Sequence, residues 1–319
     1  MVRLIRLGLL DAAAIIVATM HAQAADVTTR IPDRPHIEFI QSQVLAWKPT
    51  PWTETHPGTE IKILSIDRGH GDASTLVRYP AGWSKSGPYH LTVDEELFVL
   101  SGAIEINGRT YSEKFYAHLP AGYPRSAVSS KNGAVVLTFV SGEPHARGGT
   151  PSASVYDATR LVESIDTLNT PPSSELGRMG VDMSDPKTKG LTAAMFMLLR
   201  EDPVTHEQTW LLFSRPYSKT GVEEIHPVVE ELFLVEGEAA HDVGTMLPGA
   251  YFWRPPGLRH GPAGTKTGTV KFFRTKGGPL STTFPDTGRK FTWTPPHQPI
   301  LPPDLMGVGS HPPDTSRSY

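Results

Sequence analysis

An internal repeat constrains the fold of this chain more than any other feature. Two sets of residues recur at one constant offset of 135 positions: Glu95-Glu96-Leu97-Phe98 as Glu230-Glu231-Leu232-Phe233, and Tyr116, Pro120 and Gly122 as Tyr251, Pro255 and Gly257. Lys131-Asn132-Gly133 meets Lys266-Thr267-Gly268 in the same register. Three stretches in one register indicate the duplication of one domain. A chain of 319 residues is long enough to hold two such domains.

Between these landmarks the chain has the pattern of short strands. Residues 61–66 and 73–79 alternate apolar and polar side chains, and Asn107-Gly108 is a strong signal for a two-residue hairpin. The 29 glycines and 30 prolines favour many short strands joined by turns over long helices. The sequence therefore predicts an all-β fold, with an antiparallel sandwich or barrel in each half.

A segment in the second half carries the residues most suited to chemistry. Glu224, His226 and Glu230 are spaced in steps of two along an extended strand, so their side chains point the same way. A second strand ends at Pro255-Pro256-Gly257, a rigid turn that delivers His260. Two imidazoles and one or two carboxylates from neighbouring strands suit a divalent metal ion with open coordination positions.

The spacing of these residues resembles the cupin motif pair. It follows the pattern H-x3-E-x6-G and, after a gap, P-x-G-x2-H, at these residues: His226, Glu230, Gly237, Pro255, Gly257 and His260. The resemblance implies an all-β fold of two tandem cupin barrels, which are jelly-roll-like double-stranded β-helices. It also implies one divalent metal ion (iron, manganese, zinc or nickel) in the second barrel, bound by His226, Glu230 and His260.

The first histidine of the cupin pattern is replaced by Glu224 in this chain. Glu224 is then a fourth metal ligand or a nearby base that moves a proton during catalysis. His241, in the following strand, either faces the barrel interior and contacts substrate or lies on the solvent side. Arg254 and Arg259 flank the turn, as exposed charges or as groups that attract an anionic substrate. The chain also resembles two-cupin proteins related to the cupin module of zinc-binding anti-sigma factors.

The first copy of the cupin pattern is degraded. Pro88 stands where the first histidine belongs, His90 and Glu95 fit the pattern, and Arg125 replaces the final histidine. Arginine stays protonated and has no lone pair for a metal ion. We therefore expect an ion pair between Arg125 and Glu95 without a metal ion. The functional alternative is that His90, Glu95 and Arg125 form a binding site for a small anionic molecule, since a guanidinium group binds carboxylates well.

The sequence also predicts how the chain is divided. Residues 1–24 have the pattern of a secretory signal peptide, with Ala22-Gln23-Ala24 before the cleavage site. We expect the first barrel at residues 25–155, the second at 156–294 and a proline-rich tail at 295–319. The tail is an arm on the surface, a disordered segment, or an arm that packs on another subunit.

These features narrow the function. A net charge of -3 with 20% charged residues implies no basic surface for nucleic acid. The apolar segment at residues 7–20 is too short for a membrane span. The chain has no cysteine, which excludes disulfides and thiolate chemistry and fits a periplasmic or secreted protein. The expected partner is a small-molecule substrate or ligand, and a homo-oligomer is possible.

Two function classes remain open. One is a metal-dependent enzyme (dioxygenase, decarboxylase or lyase type) that acts on a small organic molecule at the second barrel. The other is a non-catalytic module that binds a metal ion or a small ligand, such as a sensor. The fold hosts both classes and cannot decide between them. A complete site in one copy beside a degraded site in the other favours the enzyme.

Overall fold

A computed structural model of the chain describes residues 30–173, 184, 194–285, 288–311 and 319. The predicted signal peptide at residues 1–24 lies outside the described residues. Strands dominate the described ranges, which contain one short α-helix, and the prediction of an all-β fold is confirmed. A search of the same ranges for a helix long and apolar enough to cross a membrane finds none.

The strands follow one another in short steps, as the turn-rich sequence predicts. In chain order they are β1 (Ile37–Gln41), β2 (Lys48–Pro49), β3 (Glu60–Ile66), β4 (Asp72–Leu91), β5 (Glu95–Ile106), β6 (Arg109–Ser112), β7 (Phe115–Leu119), β8 (Arg125–Ser141), β9 (Ala146–Gly148), β10 (Val162–Asp166), β11 (Ala194–Glu201), β12 (Gln208–Ser214), β13 (Ser218–Lys219), β14 (Glu224–Ile225), β15 (Val229–Gly237), β16 (Ala239–His241), β17 (Gly244–Met246), β18 (Ala250–Arg254), β19 (Arg259–His260), β20 (Gly264–Thr265) and β21 (Thr269–Lys276). Two 3-10 turns, Ser42–Val44 and Ala158–Arg160, and helix α1 (Pro303–Gly309) complete the described elements.

Each half of the chain supplies most of the strands of its own sheets. A nine-stranded sheet of the first half has the order β10-β7-β5-β8-β4-β3-β2, with β6 beside β5 and β9 beside β4. A six-stranded sheet of the second half has the order β1-β18-β15-β21-β12-β11. The four strands β13-β20-β16-β17 and the pair β14-β19 form two smaller sheets in the second half.

The two halves exchange one edge strand. β1 belongs to the first half of the sequence but pairs with β18, and β10 lies beyond residue 155 but pairs with β7. The tail also contacts this edge, because the Ile300 amide bonds the Glu38 carbonyl at 2.7 Å. The predicted domain boundaries stay a prediction, since the sheets take strands from both sides of residue 155.

The duplication is visible in the strand registers. Glu230 faces Arg254 across β15 and β18, as Glu95 faces Leu119 across β5 and β7. All these positions differ by the offset of 135 that the sequence repeat predicts. The halves therefore share strand pairings as well as motifs.

One glycine of the motif is required in both halves by backbone contact. Gly102 and Gly237 have positive φ angles of 72° and 79°. A Cβ atom would lie 2.2 Å from the Gly133 oxygen in the first half and 1.8 Å from the Gly268 oxygen in the second. Only glycine allows the strands to approach this closely at this backbone conformation.

A buried carboxylate of the first half anchors it to the second half. Glu96 accepts hydrogen bonds from the Tyr116 hydroxyl at 2.7 Å, the Thr209 hydroxyl at 2.6 Å and the Arg274 Nε at 2.7 Å. Burial alone would raise the pKa of Glu96, but the positive charges near it, chiefly Arg274, lower its pKa to about 2. Thr209 and Arg274 belong to the second half, so the carboxylate joins the two.

The equivalent carboxylate of the second half repeats this arrangement. Glu231 accepts from the Tyr251 hydroxyl at 2.6 Å, from Arg274 Nη1 at 2.6 Å and from the Ser74 hydroxyl of the first half. Arg34 adds a further donor at 3.4 Å. Because neighbouring residues of a strand point to opposite faces, this anchoring of Glu231 leaves Glu230 on the other face of β15.

Candidate metal centre

The short sheet of β14 and β19 brings the motif residues together. Glu224 lies directly opposite His260 in this antiparallel pair. Residues opposite each other in such a pair have side chains on the same face and close together. His226 follows β14, so it enters the same space two residues after Glu224. The ligand atoms of Glu224, His226 and His260 all lie within 4.8 Å of one another.

The two histidines are oriented by backbone carbonyls. His226 Nδ1 lies 3.0 Å from the Ser281 carbonyl oxygen, and His260 Nδ1 lies 3.1 Å from the Leu258 carbonyl oxygen. A carbonyl only accepts, so each Nδ1 donates, and Nε2 is the nitrogen that carries the lone pair when the ring is neutral. His226 Nε2 is buried without a hydrogen-bond partner among the described residues. Such an orphaned lone pair, fixed by a bond at the other nitrogen, is the usual state of a metal-ligating histidine.

The protonation of His260 also fits a ligand. Burial, with the positive charge of Arg254, lowers the pKa of His260 to about 4. The imidazole is therefore neutral at neutral pH, as a metal ligand must be. Burial, aided by the Glu230 carboxylate, raises the pKa of Glu224. A cation bound beside Glu224 would oppose that rise by stabilising its charged form.

Glu230 reaches the cluster but is shared with Arg254. Arg254 Nη1 donates to Glu230 Oε2 at 2.6 Å, and Arg254 Nε donates to Glu38 Oε2 at 2.6 Å. Glu230 Oε1 lies 3.7 Å from His226 Nε2. Against burial, His226 and Arg254 lower the pKa of Glu230 to about 2. One oxygen of Glu230 is thus available to an ion, while Arg254 holds the other.

Arg254 differs from both interpretations offered by the sequence. It is buried, with 3% exposure, because its guanidinium group bridges Glu38 and Glu230. Glu38 comes from β1, far away in sequence, so no local pattern could show this pairing. Arg259 is half exposed and forms an ion pair with Glu223. Neither arginine is an unattached surface charge in the structure.

A cavity of about 120 Å³ lies beside the cluster. The four predicted ligands Glu224, His226, Glu230 and His260 line it, together with a mostly aromatic wall: Phe196, Trp210, Leu232, Phe252 and Phe273. This volume is about ten times the space that one water molecule needs. The cavity can therefore hold a small organic molecule against the ligand atoms.

His241 lines the same cavity, which agrees with the inward-facing interpretation of the sequence. Both of its ring nitrogens are buried without a hydrogen-bond partner in the described part of the chain. Burial, with the positive charges of Lys271 and Arg254, lowers the pKa of His241 well below its usual value. His241 is a neutral imidazole that can exchange one hydrogen bond with a bound molecule.

Lys271 is a cavity residue that sequence reasoning missed. It lies on β21 opposite Leu234 and Leu212. Burial lowers the pKa of Lys271 to about 8. The available signal was its place in the apolar run Val270-Lys271-Phe272-Phe273, where period-two alternation puts Lys271 and Phe273 on one face.

The equivalent site of the first half is closed. Arg125 Nη1 lies 2.8 Å from Glu95 Oε2, which is the ion pair that the sequence predicts. His56 Nε2 lies 3.2 Å from Glu95 Oε1, a contact that the motif could not show because His56 comes from the loop between β2 and β3. Against burial, Arg125 and His56 lower the pKa of Glu95 to about 2. The space left is only about 10 Å³.

His90 does not line this small cavity. Tyr89 lines it instead and pairs with Arg125, as Glu224 pairs with His260. His90 points to the other face of β4, where Nδ1 lies 3.4 Å from the Gly149 carbonyl oxygen. The cupin pattern allows a glutamate either four or five positions after its histidine, and here the extra position places the histidine on the opposite face. The structure thus brings together Glu95 and Arg125 but not His90.

Solved structures of similar fold extend over most of the chain. A "putative dioxygenase" from Nostoc punctiforme has a TM-score of 0.68 at 17% identity, over 82% of this chain and 92% of that protein. Protein YlbA from Escherichia coli has a TM-score of 0.51 at 14% identity, over 77% and 93%. The oxalate decarboxylase of Lactobacillus farciminis has a TM-score of 0.50 at 11% identity, over 77% and 88%.

These likenesses concern the fold, and they confirm the predicted pair of tandem cupin barrels. They give no support to the narrower relation to zinc-binding anti-sigma factors. A search of curated proteins finds no match to this sequence. A family model matches residues 38–281, which is most of the chain and includes both sites. The chain therefore belongs to the family described as "Domain of unknown function (DUF4437)".

Proposed function

We propose that this protein is a metal-dependent enzyme that acts on a small organic molecule at its C-terminal barrel. One observation carries the proposal: the ligand atoms of Glu224, His226 and His260 converge within 4.8 Å beside a cavity of about 120 Å³. The buried Nε2 of His226 has no hydrogen-bond partner among the described residues and lies 3.7 Å from carboxylate oxygens of Glu224 and Glu230, where an ion could bind between them. Glu230 completes the ligand set through the oxygen that Arg254 leaves available.

A divalent ion in this site supplies a Lewis acid with open positions or, if it is iron, redox chemistry with dioxygen. The protein's own groups prepare the site. Ser281 and Leu258 fix the imidazole rings of His226 and His260, and aromatic side chains form an apolar wall beside them. His241 is placed to hold a proton or a hydrogen bond on the substrate.

Two structural neighbours support the enzyme class, because their descriptions are a "putative dioxygenase" and an oxalate decarboxylase. Two histidines with one carboxylate are typical of non-haem iron oxygenases, and a metal in a dry cavity also suits decarboxylase and lyase chemistry. The proposed set adds a second carboxylate to this pattern, so it does not single out the oxygenase type. A non-catalytic metal or small-ligand module is the competing function, and it shares the ligand set but not turnover.

The test begins with metal content. Purified protein is expected to bind about one divalent ion per chain after loading with iron, manganese, zinc or nickel in turn, as measured by plasma emission spectroscopy. Each loaded form is then assayed against a panel of small acids, ketones and phenols, with dioxygen consumption and carbon dioxide release as readouts. Turnover by one metal form supports the enzyme. Metal binding without any turnover across the panel supports the binding module.

We also propose that the protein is exported, on the basis of the signal-peptide pattern alone. The mature chain is expected to begin at or near Ala25, because Ala22-Gln23-Ala24 has the spacing of a cleavage site. Mass spectrometry of the intact protein from the natural host gives the terminus directly. An intact Met1 terminus on cytoplasmic protein would contradict export.

A further inference from the structure

The cavity contains a positive charge without a fixed counter-ion. Lys271 lines it, and none of the described residues places a carboxylate within ion-pair distance of the Lys271 ammonium group. Glu230 and Glu224 act on it only at longer range. A partly desolvated ammonium group next to apolar side chains is costly unless an anion approaches it. The cavity is thus built to receive negative charge.

The charge balance around the proposed ion gives the same result. Three carboxylates (Glu38, Glu224 and Glu230) and two cations (Arg254 and Lys271) lie at or directly behind the cavity wall, and the nearby Asp242 is paired with Arg289. With a divalent ion added to these three negative and two positive charges, the site has one positive charge in excess. Because uncompensated charge is unfavourable in a water-poor cavity, one singly charged anion completes the balance.

The first barrel shows that the fold does not require these polar groups. At the offset of 135, Lys271 corresponds to Val136 and His241 corresponds to Ile106, and both of these apolar residues line the small closed cavity. The strand registers agree, since Leu234 faces Lys271 as Val99 faces Val136. The lysine is therefore specific to the open site and is not needed to build the barrel.

The aromatic surface beside Lys271, on the same face of β21 and β12, indicates what the rest of the anion is like. Trp210 stacks on Phe273 with ring centroids 5.1 Å apart and an interplanar angle of 5°. This flat surface lines the same cavity as Lys271. An apolar body against the rings and a charged end on the lysine make one compact ligand.

We propose that the C-terminal cavity binds a small monocarboxylate, with its carboxylate paired to Lys271 and its apolar body against Trp210 and Phe273. This substrate class deepens the proposed function and rests on it. His241 supplies the further hydrogen bond, because both of its ring nitrogens are unpartnered at the cavity wall.

The test compares butanoate with butanamide, a neutral molecule of the same shape, by calorimetric titration of the zinc-loaded full-length protein. Butanoate is expected to bind at least about tenfold more tightly, because a charge-assisted hydrogen bond replaces a neutral one. A carboxylate can also ligate zinc, so the Lys271→Met variant isolates the lysine. This variant is expected to lose most of the discrimination while it keeps its zinc, and Lys271→Arg is expected to keep the discrimination.

Lys276→Met is the matched control, since Lys276 lies on the same strand but pairs with Glu207 outside the cavity. It is expected to retain both zinc and the preference for butanoate. Metal content reports on the proposed function by itself: a wild-type protein that binds none of iron, manganese, zinc and nickel overturns both proposals. A zinc-loaded protein that binds the two molecules equally, or a Lys271→Met variant with undiminished discrimination, overturns the monocarboxylate alone.

Discussion

The two barrels of this protein neutralise the buried glutamate of the cupin motif in different ways. In the N-terminal barrel Arg125 lies 2.8 Å from Glu95, and the remaining space is about 10 Å³. In the C-terminal barrel Arg254 takes one oxygen of Glu230 from the neighbouring strand, and the cavity keeps about 120 Å³. The cation's position in the barrel decides whether the space beside the glutamate is filled or open.

The open and closed sites differ in side chain at five pairs of equivalent positions. At the offset of 135, the open site and the closed site differ in these pairs: Glu224 and Tyr89, His226 and Leu91, His241 and Ile106, His260 and Arg125, Lys271 and Val136. Each polar group in these pairs has an apolar, aromatic or cationic counterpart, whereas Glu230 keeps a glutamate, Glu95, as its counterpart. The comparison teaches that one scaffold can hold a metal site or a self-contained ion pair, depending on side chains alone.

The largest expected effect tests the closed site. Arg125→Ala is expected to destabilise the protein by about 3–5 kcal/mol, because it leaves the Glu95 carboxylate buried without its cation. Urea denaturation at neutral pH gives this difference in the free energy of unfolding. Metal content is expected to stay unchanged. Arg147→Ala, at an exposed position of the same barrel, is the control and is expected to shift stability by less than about 0.5 kcal/mol.

The next effect tests the open site. His260→Ala is expected to weaken metal binding by more than about 100-fold, because it removes a direct ligand rather than an outer-shell group. The measurement is a competition titration against a chromophoric chelator. His206→Ala, which changes an exposed histidine of the same half, serves as control. If two ions bind to each wild-type chain, or if His260→Ala binds metal normally, the contrast between the barrels is wrong.

A smaller effect concerns Glu224, which stands where the closed barrel has Tyr89. Glu224→Gln is expected to lower metal affinity by about 10- to 100-fold and to lower activity with it, since the amide keeps an oxygen but loses the charge. If Glu224 is instead the proton-transfer base, metal content persists while turnover falls by about 100- to 10,000-fold. Glu238→Gln, at an exposed position, is the control. Retained metal with undiminished turnover would exclude both roles.

The smallest effect concerns the interface, where the two halves are most alike. Tyr116→Phe removes one of the hydrogen bonds to Glu96 and is expected to cost about 0.5–1.5 kcal/mol at neutral pH. The pKa of Glu96 is lowered from 4.5 to about 2, so its contribution is complete above pH 4.5 and is lost as the pH falls toward 2. The difference in the free energy of unfolding between the variant and the wild type should therefore shrink over that pH range, as measured by acid denaturation.

Tyr251→Phe is the matched variant for the Glu231 side of the interface. Glu231 keeps donors from Ser74, Arg274 and Arg34, so the loss is expected to be similar or smaller. A large difference between the two variants would show that the interface is less symmetric than its hydrogen bonds. The same urea and acid titrations measure both.

Much of the fold was accessible from the sequence because its signals are local. The offset of 135 indicated the duplication of one domain, and turn residues such as Gly237 marked where strands end. The metal-site hypothesis was accessible for the same reason, since Glu224 and His226 share a strand face by period-two alternation. Which side chains neutralise Glu230 and Glu95 was not accessible, because Glu38 and His56 approach them from distant segments.

The sequence by itself determined the class of fold, its duplication, and which copy retains ligand-type side chains, since repeats, alternation and spacing are properties of neighbours along the chain. Only the tertiary structure decided that β1 and β10 are exchanged, that Arg254 is buried between Glu38 and Glu230, and that Lys271 and His241 line the same cavity as the predicted metal ligands. These contacts join residues far apart in sequence. Their energies come from burial and charge pairing, which exist only after the sheets have packed.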